Sequence, residues 1–417
     1  MIDLQSAIVM GGVAIALVVL TIILLGEGVR SRAAGLGIGV ARRRRLLDLR
    51  DQDPNFSLVL FEEYLLALYV AAHQRRVDER KLARFSPFLR VPARDTLRTA
   101  PPAKKVKAVL VGELQLREVE IGTERARVLV AIQGAHVLET NEGEQTWFSE
   151  EVWTVSRSQS ALSRPPTRVQ VFGCPNCGAK LDLVVDAHCQ HCDTVVDTGT
   201  HDWVVEEIQF EDWTQETTRL VLGRMSKGVM TPSDPAYDAT NRLRAIQERD
   251  PDVSLESLRH RVEAIFSSLQ EAWKAGDWHG ARPYVTDRIL EHELFWIQAH
   301  HQRGERGAII DQRLTTVDLI DVLSDKWFDA VTFRIWCSKV MLGAGLEGSG
   351  AKAHSEYWTL IRGTAVHGSP DEGLCPSCGA PIDVVRSGAC AHCKAHVTLG
   401  EFDWVLSRIE DPEAYAP

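Results

Sequence analysis

Apolar residues recur every three or four positions in two stretches of this sequence. The first stretch has them at Leu58, Phe61, Leu65, Leu68, Tyr69 and Ala72, and the second at Leu255, Leu258, Val262, Ile265, Phe266 and Leu269. This spacing places them on one face of a helix, so each stretch predicts an amphipathic helix. Each stretch opens with Asp-Pro, which predicts that Asp53 and Asp250 are the helix N-caps.

A different pattern, in which apolar and polar residues alternate, follows each helical stretch. In VTFRIWCS alternate side chains fall on opposite faces, which is typical of a half-buried strand. The predicted inner face holds Val331, Phe333, Ile335 and Cys337. GELQLREVEI, RARVLVAIQGAHV and LTTVDLIDVL alternate in the same way. Helices followed by an antiparallel sheet predict an α+β fold, with Cys337 as a small core residue.

The same landmarks return in the same order in the second half of the chain, so we infer one module used twice. FSPFL around Pro87 is matched by ARPYV around Pro283, and EEVWTVSR around Trp153 by SEYWTLIR around Trp358. The predicted organisation is an anchor at 1–27, a basic linker at 28–52, a first module at 53–210, a turn-rich linker at 211–249, a second module at 250–410 and a tail at 411–417.

The amino-terminal segment from Ala7 to Leu25 contains nineteen residues without a charge. As a helix it would cover roughly 28 Å, close to the thickness of a bilayer core, so we predict a transmembrane helix. Seven arginines lie between Gly28 and Arg50, and the excess of positive charge predicts that the chain beyond the span is cytoplasmic and the amino terminus outside. The expected localisation is single-pass in an inner or plasma membrane. A cleaved signal peptide is the alternative, although it is usually shorter and begins with basic residues.

Eight of the nine cysteines form two identical sets of paired CxxC motifs, each with eleven residues between the pairs. Four thiolates at this spacing can surround one metal ion as a tetrahedron, so we predict two zinc ions per chain, with another metal or redox-active dithiols as the alternatives. The predicted ligands are Cys174, Cys177, Cys189 and Cys192 in a ribbon at 172–197, and Cys375, Cys378, Cys390 and Cys393 in a ribbon at 373–398.

The predicted zinc has a structural role, because four protein ligands leave no open coordination position. Ordering about twenty residues costs about 1–2 kcal/mol each in backbone entropy, and zinc binding is expected to offset that cost. His188, His191, His392 and His396 lie near the cysteines and are interpreted as solvated or supporting residues. A predicted strand precedes and another follows each set, so each ribbon is expected between the last two strands of its sheet.

The second module resembles the mitochondrial inner-membrane translocase subunit 44 (Tim44-like) family. By this resemblance the chain would be a bacterial-type membrane protein with two copies of the domain, each carrying an inserted ribbon. The matching residues are Leu269, Gln270, Ala272, Trp273, Asp277, Pro283, Tyr284, Thr286, Asp287, Glu356, Trp358 and Arg362. The resemblance covers roughly residues 250 to 410, and more weakly 53 to 210. It implies a nuclear transport factor 2-like cone fold and a role as a membrane-associated tether.

Charge and motif content narrow the function classes. Lysines and arginines number 47 against 57 acidic residues, a net charge of −10, and the ribbons contain few basic residues, so we expect no nucleic-acid partner. No phosphate-binding glycine loop, serine elbow or HExxH helix occurs, so we expect no enzyme activity. A ketosteroid-isomerase-like site would need residues such as Asp277, Asp287, Asp318, Asp321 and Tyr284 to meet in one pocket.

The resulting hypothesis is a membrane-anchored, noncatalytic scaffold or tether. It would recruit a protein partner to the cytoplasmic face of a lipid bilayer and be linked to protein translocation. The alternative is a carrier that holds a lipid or another small apolar ligand in the cone pocket. A cone-fold enzyme is the third hypothesis.

Overall fold

The structure, a computed structural model, describes residues 38–417 apart from a set of short internal and terminal segments. Those segments are 167–171, 186, 216–234, 303–308, 343–351, 367–373, 376, 386–387, 413–414 and 416–417. The predicted transmembrane helix and the beginning of the predicted basic linker lie outside the described residues.

The first half begins with helices and ends with a sheet. Its helices are α1 (Ile38–Leu47), α2 (Leu58–Arg75), α3 (Glu79–Ala83) and α4 (Val91–Arg98). Its antiparallel sheet has the order β1-β2-β3-β7, with β1 Lys105–Ile121, β2 Arg125–Thr140, β3 Gly143–Ser158 and β7 Val204–Thr214. Between β3 and β7 the first ribbon forms its own small sheet from β4 (Val184–Val185), β5 (His188–Cys189) and β6 (Thr194–Val195).

The second half repeats this plan. Its helices are α5 (Ala239–Arg249), α6 (Leu255–Ala275) and α7 (Asp287–Gln302). Its antiparallel sheet consists, in spatial order, of β8 (Ile309–Ser324), β9 (Phe328–Leu342), β10 (Lys352–Gly363) and β11 (Val405–Glu410). The second ribbon lies between β10 and β11, so the predicted position of each ribbon, before the last strand of its sheet, is confirmed.

The repeat extends further towards the amino terminus than the sequence pattern indicated. Leu46 and Leu49 near the end of α1 are buried, as are Leu243 and Ile246 of α5 in the other half. In each half these residues precede the Asp-Pro pair by the same number of positions. Helix α1, predicted as part of a basic linker, is therefore the counterpart of α5 and packs against β1.

The predicted role of Asp53 and Asp250 as helix caps is wrong. Helix α2 begins after Ser57, whose hydroxyl accepts a hydrogen bond from the Leu60 amide. Helix α6 begins after Ser254, which forms a reciprocal capping box with Ser257. Serine caps these helices because its short side chain reaches the free amides of the first turn, and the aspartates are left for another partner.

The predicted strand faces are confirmed where they can be checked. Val331, Phe333, Ile335 and Cys337 on β9 are all buried, so Cys337 is a core residue as expected. The opposite face is not simply solvated, because Arg334 is also buried there. Its guanidinium lies 4.1 Å from the centre of the Trp336 ring, so the outer face of this sheet is partly covered.

The two halves pack together through helix α7, which lies against β1 of the first sheet. Phe295 of α7 meets Phe148 edge-on with 5.7 Å between the ring centres. The backbone of Gly112 approaches that helix so closely that a methyl group at this position would lie 2.6 Å from the Phe295 ring. A buried ion pair joins the halves as well, with Arg408 of β11 donating to Glu62 of α2 at 2.6 Å.

The predicted fold class needs correction. Among the helices of the described residues, none has both the length and the apolar character needed to cross a membrane. The described residues form a mixed arrangement of α-helices and β-sheets. The transmembrane helix, the single-pass inner- or plasma-membrane localisation and the description as a membrane protein are therefore unsupported, and we withdraw them.

Candidate metal centres

The four cysteines of the first ribbon converge on one point. The Sγ atoms of Cys174 and Cys192 lie 3.8 Å apart, and those of Cys177 and Cys189 lie 3.9 Å apart. Sulfur ligands about 2.3 Å from a tetrahedral metal ion are separated by about 3.8 Å. A disulfide would bring two sulfurs to about 2.05 Å. The spacing therefore fits four ligands of one ion and does not fit disulfide pairs.

The second ribbon has the same arrangement. The Sγ atoms of Cys375 and Cys393 lie 3.9 Å apart, and all four of its sulfurs, like those of the first ribbon, lie within 4.8 Å of one another. Cys375 and Cys390 are buried, whereas Cys378 and Cys393 are exposed. Each predicted ligand set is thus brought together, and each can hold a metal ion.

Each cysteine cluster contains a tight turn in which one residue has a left-handed backbone conformation, at the same position in both ribbons. Gly178 and Gly379, each directly after the second cysteine, have φ of +78° and +70°. Glycine suits these positions because it has no side chain to clash in this region of backbone space. In the first ribbon the Gly178 amide donates to the Cys174 carbonyl at 2.8 Å, which closes the turn that carries both cysteines.

Hydrogen bonds to the sulfurs favour the thiolate form at one cysteine of each cluster. The Thr194 hydroxyl, followed by the Asn176 amide, lowers the pKa of Cys192 to about 6. In the second ribbon the Ala395 amide and then the Ser377 hydroxyl lower the pKa of Cys393 to about 6. Metal binding requires deprotonated thiols, so these donors favour it.

Two of the nearby histidines pair with carboxylates. His188 Nε2 lies 3.2 Å from the Asp193 carboxylate, and His396 Nδ1 lies 2.8 Å from Glu401. The backbone amide of His392 donates to Cys390 Sγ at 3.4 Å, so this residue contributes its main chain to the cluster. The metal-ligand groups found among the described residues include none of these imidazoles.

A buried arginine joins the segments on either side of the first ribbon. Arg157, near the end of the strand before the ribbon, donates to the Asp53 carboxylate at 2.9 Å. Its guanidinium also lies 5.0 Å from the ring centre of Trp203, just before the strand that follows the ribbon. Both side chains of the ion pair are 1% exposed. One residue therefore joins the start of the helical region to the two strands between which the ribbon is inserted.

The second half contains the same three-residue anchor. Arg362 lies 2.8 Å from the Asp250 carboxylate and 4.9 Å from the ring centre of Trp404. Sequence reasoning missed this set, although Asp-Pro, the strand arginine and the Asp-Trp pair recur in both halves. The recurrence of an acid, a base and an aromatic residue at matching positions is the signal from which this contact could have been predicted.

A groove of about 530 Å³ lies where the first ribbon meets helices α2 and α3. Phe85, Phe172 and Leu181 supply its apolar surface. Its polar side chains are Arg75, Lys81, Arg84 and Asp182. Arg84 and Asp182 are paired at 2.6 Å, and both are largely exposed.

Both ribbons expose apolar side chains beyond this groove. Leu183 and Val195 are 42% and 52% exposed in the first ribbon, and Leu374 and Val385 are 38% and 37% exposed in the second. The small apolar core of each ribbon consists of its buried cysteines and two valines, Val184 and Val196 in the first and Val384 and Val397 in the second.

The acidic residues considered for an isomerase-like site have separate partners in the second half. Asp287 pairs with Arg282, Asp321 pairs with Arg242, and Asp318 accepts a hydrogen bond from Trp336. Tyr284 lies beneath the guanidinium of Arg261, 4.8 Å from its ring centre.

Comparison with known proteins identifies part of the chain. Residues 239–372 match the family model of the Tim44-like domain, which confirms the resemblance for this segment. The match begins with α5 and ends before Cys375, so the second ribbon and β11 lie beyond it. A second copy in the first half and a bacterial type stay predictions.

No curated protein and no solved structure matches the chain, so these comparisons give the predicted nuclear transport factor 2-like cone no support. The Tim44-like domain is consistent with a role in protein translocation or membrane association.

Proposed function

We propose that this chain is a noncatalytic scaffold that recruits a protein partner, in a role linked to protein translocation. The groove beside the first ribbon carries this proposal. It combines aromatic rings and an aliphatic side chain with three basic residues and one acidic residue, Asp182, which pairs with Arg84. Basic residues thus outnumber acidic ones in this groove, in a chain whose net charge is −10. A local basic rim around an apolar floor suits a partner segment with both acidic and apolar side chains.

The groove has a floor of packed aromatic rings. The Phe172 ring lies 5.2 Å from that of Phe85 and 5.3 Å from that of Phe88, between ring centres. Arg75 lies 4.9 Å from the centre of the Phe85 ring, so a cation covers one side of this floor. A preorganised floor of this kind costs little entropy when a partner binds.

We also propose that each four-cysteine cluster holds one zinc ion. In this role zinc would order the ribbons and hold their exposed apolar residues in fixed positions. The Asp53–Arg157–Trp203 anchor supports this, because it holds together the segments between which the first ribbon is inserted.

Site-specific photocrosslinking tests the scaffold hypothesis. A photoreactive residue replaces Lys81 at the groove, and a matched control replaces Tyr237, a fully exposed residue of the second half. We expect one partner to crosslink from position 81 and not from position 237. The charge reversal Arg84→Glu should weaken that adduct at least severalfold. Equal adducts from both positions, unaffected by Arg84→Glu, would contradict the proposal.

The carrier hypothesis receives less support from the first half, because its interior is filled. Tyr69, His73, His136 and Trp153 are fully buried between α2 and the sheet. Native mass spectrometry of the purified chain tests this alternative directly. A co-purified lipid that survives mild activation would favour a carrier over a scaffold.

A further inference from the structure

A third cluster of metal-binding side chains lies inside the first half, away from both ribbons. His73 on α2, His136 on β2 and Glu151 on β3 each offer a ligand atom, and these atoms lie within 4.8 Å of one another. All three side chains are fully buried. We propose that this cluster binds a divalent transition-metal ion through two imidazoles and one carboxylate.

The geometry brings both imidazoles to one carboxylate group. His73 Nε2 lies 3.2 Å from Glu151 Oε2, and His136 Nε2 lies 3.9 Å from Glu151 Oε1. Nitrogen and oxygen ligands about 2.1 Å from a metal ion lie at most about 4.2 Å apart. Side-chain shifts of roughly half an ångström therefore bring all three ligands within range of one ion.

Two hydroxyl groups lie at the same place and can complete the coordination. The Tyr69 hydroxyl is 3.1 Å from His136 Nε2 and 3.0 Å from the Ser149 hydroxyl. Trp153 Nε1 donates to Glu151 Oε2 at 2.9 Å and orients the carboxylate. Supporting hydrogen bonds of this kind are a regular feature of metal ligands in proteins.

The burial of the cluster also suits a metal ion. Glu151 is completely buried, with both imidazoles beside it. A fully buried carboxylate needs a positive partner, and a divalent cation held by the three side chains would supply that charge.

The second half shows that the fold does not require this cluster. The carboxylate and its tryptophan recur there as Glu356 and Trp358, which form the same hydrogen bond at 2.9 Å, but the histidine beside this carboxylate is His354, at the position of Ser149 and 2.8 Å from Glu356. The residues that occupy the positions of Tyr69, His73 and His136 in the repeat are Phe266, Gln270 and Lys339. The two histidines thus belong to the first half alone, which points to a specific role there.

Two imidazoles with one carboxylate suit zinc, ferrous iron or cobalt, because these ions accept nitrogen and oxygen ligands. The ribbons offer soft thiolate ligands, whereas the third site offers harder nitrogen and oxygen ligands. Spectroscopy can therefore distinguish a metal ion at the third site from one in a ribbon. Cobalt(II) is a suitable probe because sulfur ligands give it intense charge-transfer absorption and nitrogen or oxygen ligands do not.

The test is the metal content of the full chain, refolded with cobalt(II) and freed of loosely bound ions. We expect three ions per chain, and X-ray absorption should show a minority of nitrogen or oxygen ligands among a majority of sulfur. Glu151→Gln should lower the count to two and leave the thiolate absorption unchanged. The matched control Glu356→Gln, at the equivalent position of the other half, should retain three ions.

Two outcomes would overturn the proposal. The first is a wild-type chain with two cobalt ions and a shell of sulfur alone, a result that does not depend on whether any variant folds. The second is an equal count of three in wild type and in a folded Glu151→Gln variant, which would assign the third ion to another place.

Discussion

The two halves share a frame and differ in their interiors. Each frame has an antiparallel four-stranded sheet, a four-cysteine ribbon before the last strand and a buried anchor of aspartate, arginine and tryptophan. Inside the first half lie His73, His136 and Tyr69, whereas Phe266 and Gln270 occupy equivalent helical positions in the second. The frame therefore supplies the fold, and the interior can vary without changing it.

The halves also differ in one helix, and that difference joins them. Helix α4 of the first half has 8 residues, whereas its counterpart α7 has 16. The longer helix reaches over β1 of the first sheet, where Gly112 and Phe295 are in close contact. The longer helix thus makes the interface between the two halves asymmetric.

The largest effect is expected from breaking one metal cluster at a time. Cys189→Ser and Cys390→Ser should each remove one metal ion per chain, because each takes away one of the four ligands. The altered ribbon would then lose the free energy of zinc binding, which is about 10 kcal/mol or more in such small domains. Hydrogen exchange should rise within the altered ribbon and stay unchanged in the other one. Metal analysis and exchange mass spectrometry check this. Loss of protection in both ribbons would mean that they are not independent.

Breaking the anchors tests whether the two frames are equivalent. Arg157→Met and Arg362→Met should each lower the free energy of unfolding by about 3 kcal/mol, because a buried aspartate is left without its partner. Urea unfolding measures the loss. The double variant Asp53→Asn with Arg157→Met should recover much of it, and a double variant as unstable as the single one would argue against the ion pair.

The interface between the halves depends on Glu62, and its contribution should depend on pH. Burial alone would raise the pKa of Glu62, but Arg288 and then Arg408 outweigh it and lower the pKa to about 2. Glu62→Gln should cost about 3 kcal/mol at pH 7. Since the folded pKa is depressed, this stabilisation is present above about pH 4.5 and is lost as the pH falls towards 2. Unfolding of wild type and variant at matched pH measures the difference.

The neighbouring Glu63 is expected to behave in the opposite way, with a smaller effect. Burial, followed by repulsion from Asp287, raises its pKa to about 8. A raised folded pKa gives stability that is full below about pH 4.5 and is lost as the pH rises through 8. Glu63→Gln should therefore stabilise the protein by at least about 1 kcal/mol at pH 8.5 and have little effect at pH 5. A destabilised variant at pH 8.5 would contradict this assignment.

Much of the site was predictable because its signals are local. The CxxC spacing gave both ligand sets, and the alternation in VTFRIWCS gave the inner face of β9. Helix caps were not predictable in the same way, because Asp53 and Ser57 both suit an N-cap. Only the position of Arg157 across the fold decided that serine caps the helix and aspartate forms the ion pair.

The third cluster was missed for a related reason. His73, His136 and Glu151 lie on three different elements, with up to 78 positions between paired members. Histidine on a helix and histidine on a strand each look ordinary in a sequence. The antiparallel register of β2 and β3 and the seating of α2 on the sheet bring them together.

The inner face of β9 and the two sets of cysteine ligands could be read from the sequence, because each depends on residues close together in the chain. Which buried charges pair, how α1 packs against the first sheet and how α7 joins the two halves became clear only in the folded chain. Those features depend on strand register and on the packing of distant elements, and neither leaves a periodic trace in the sequence.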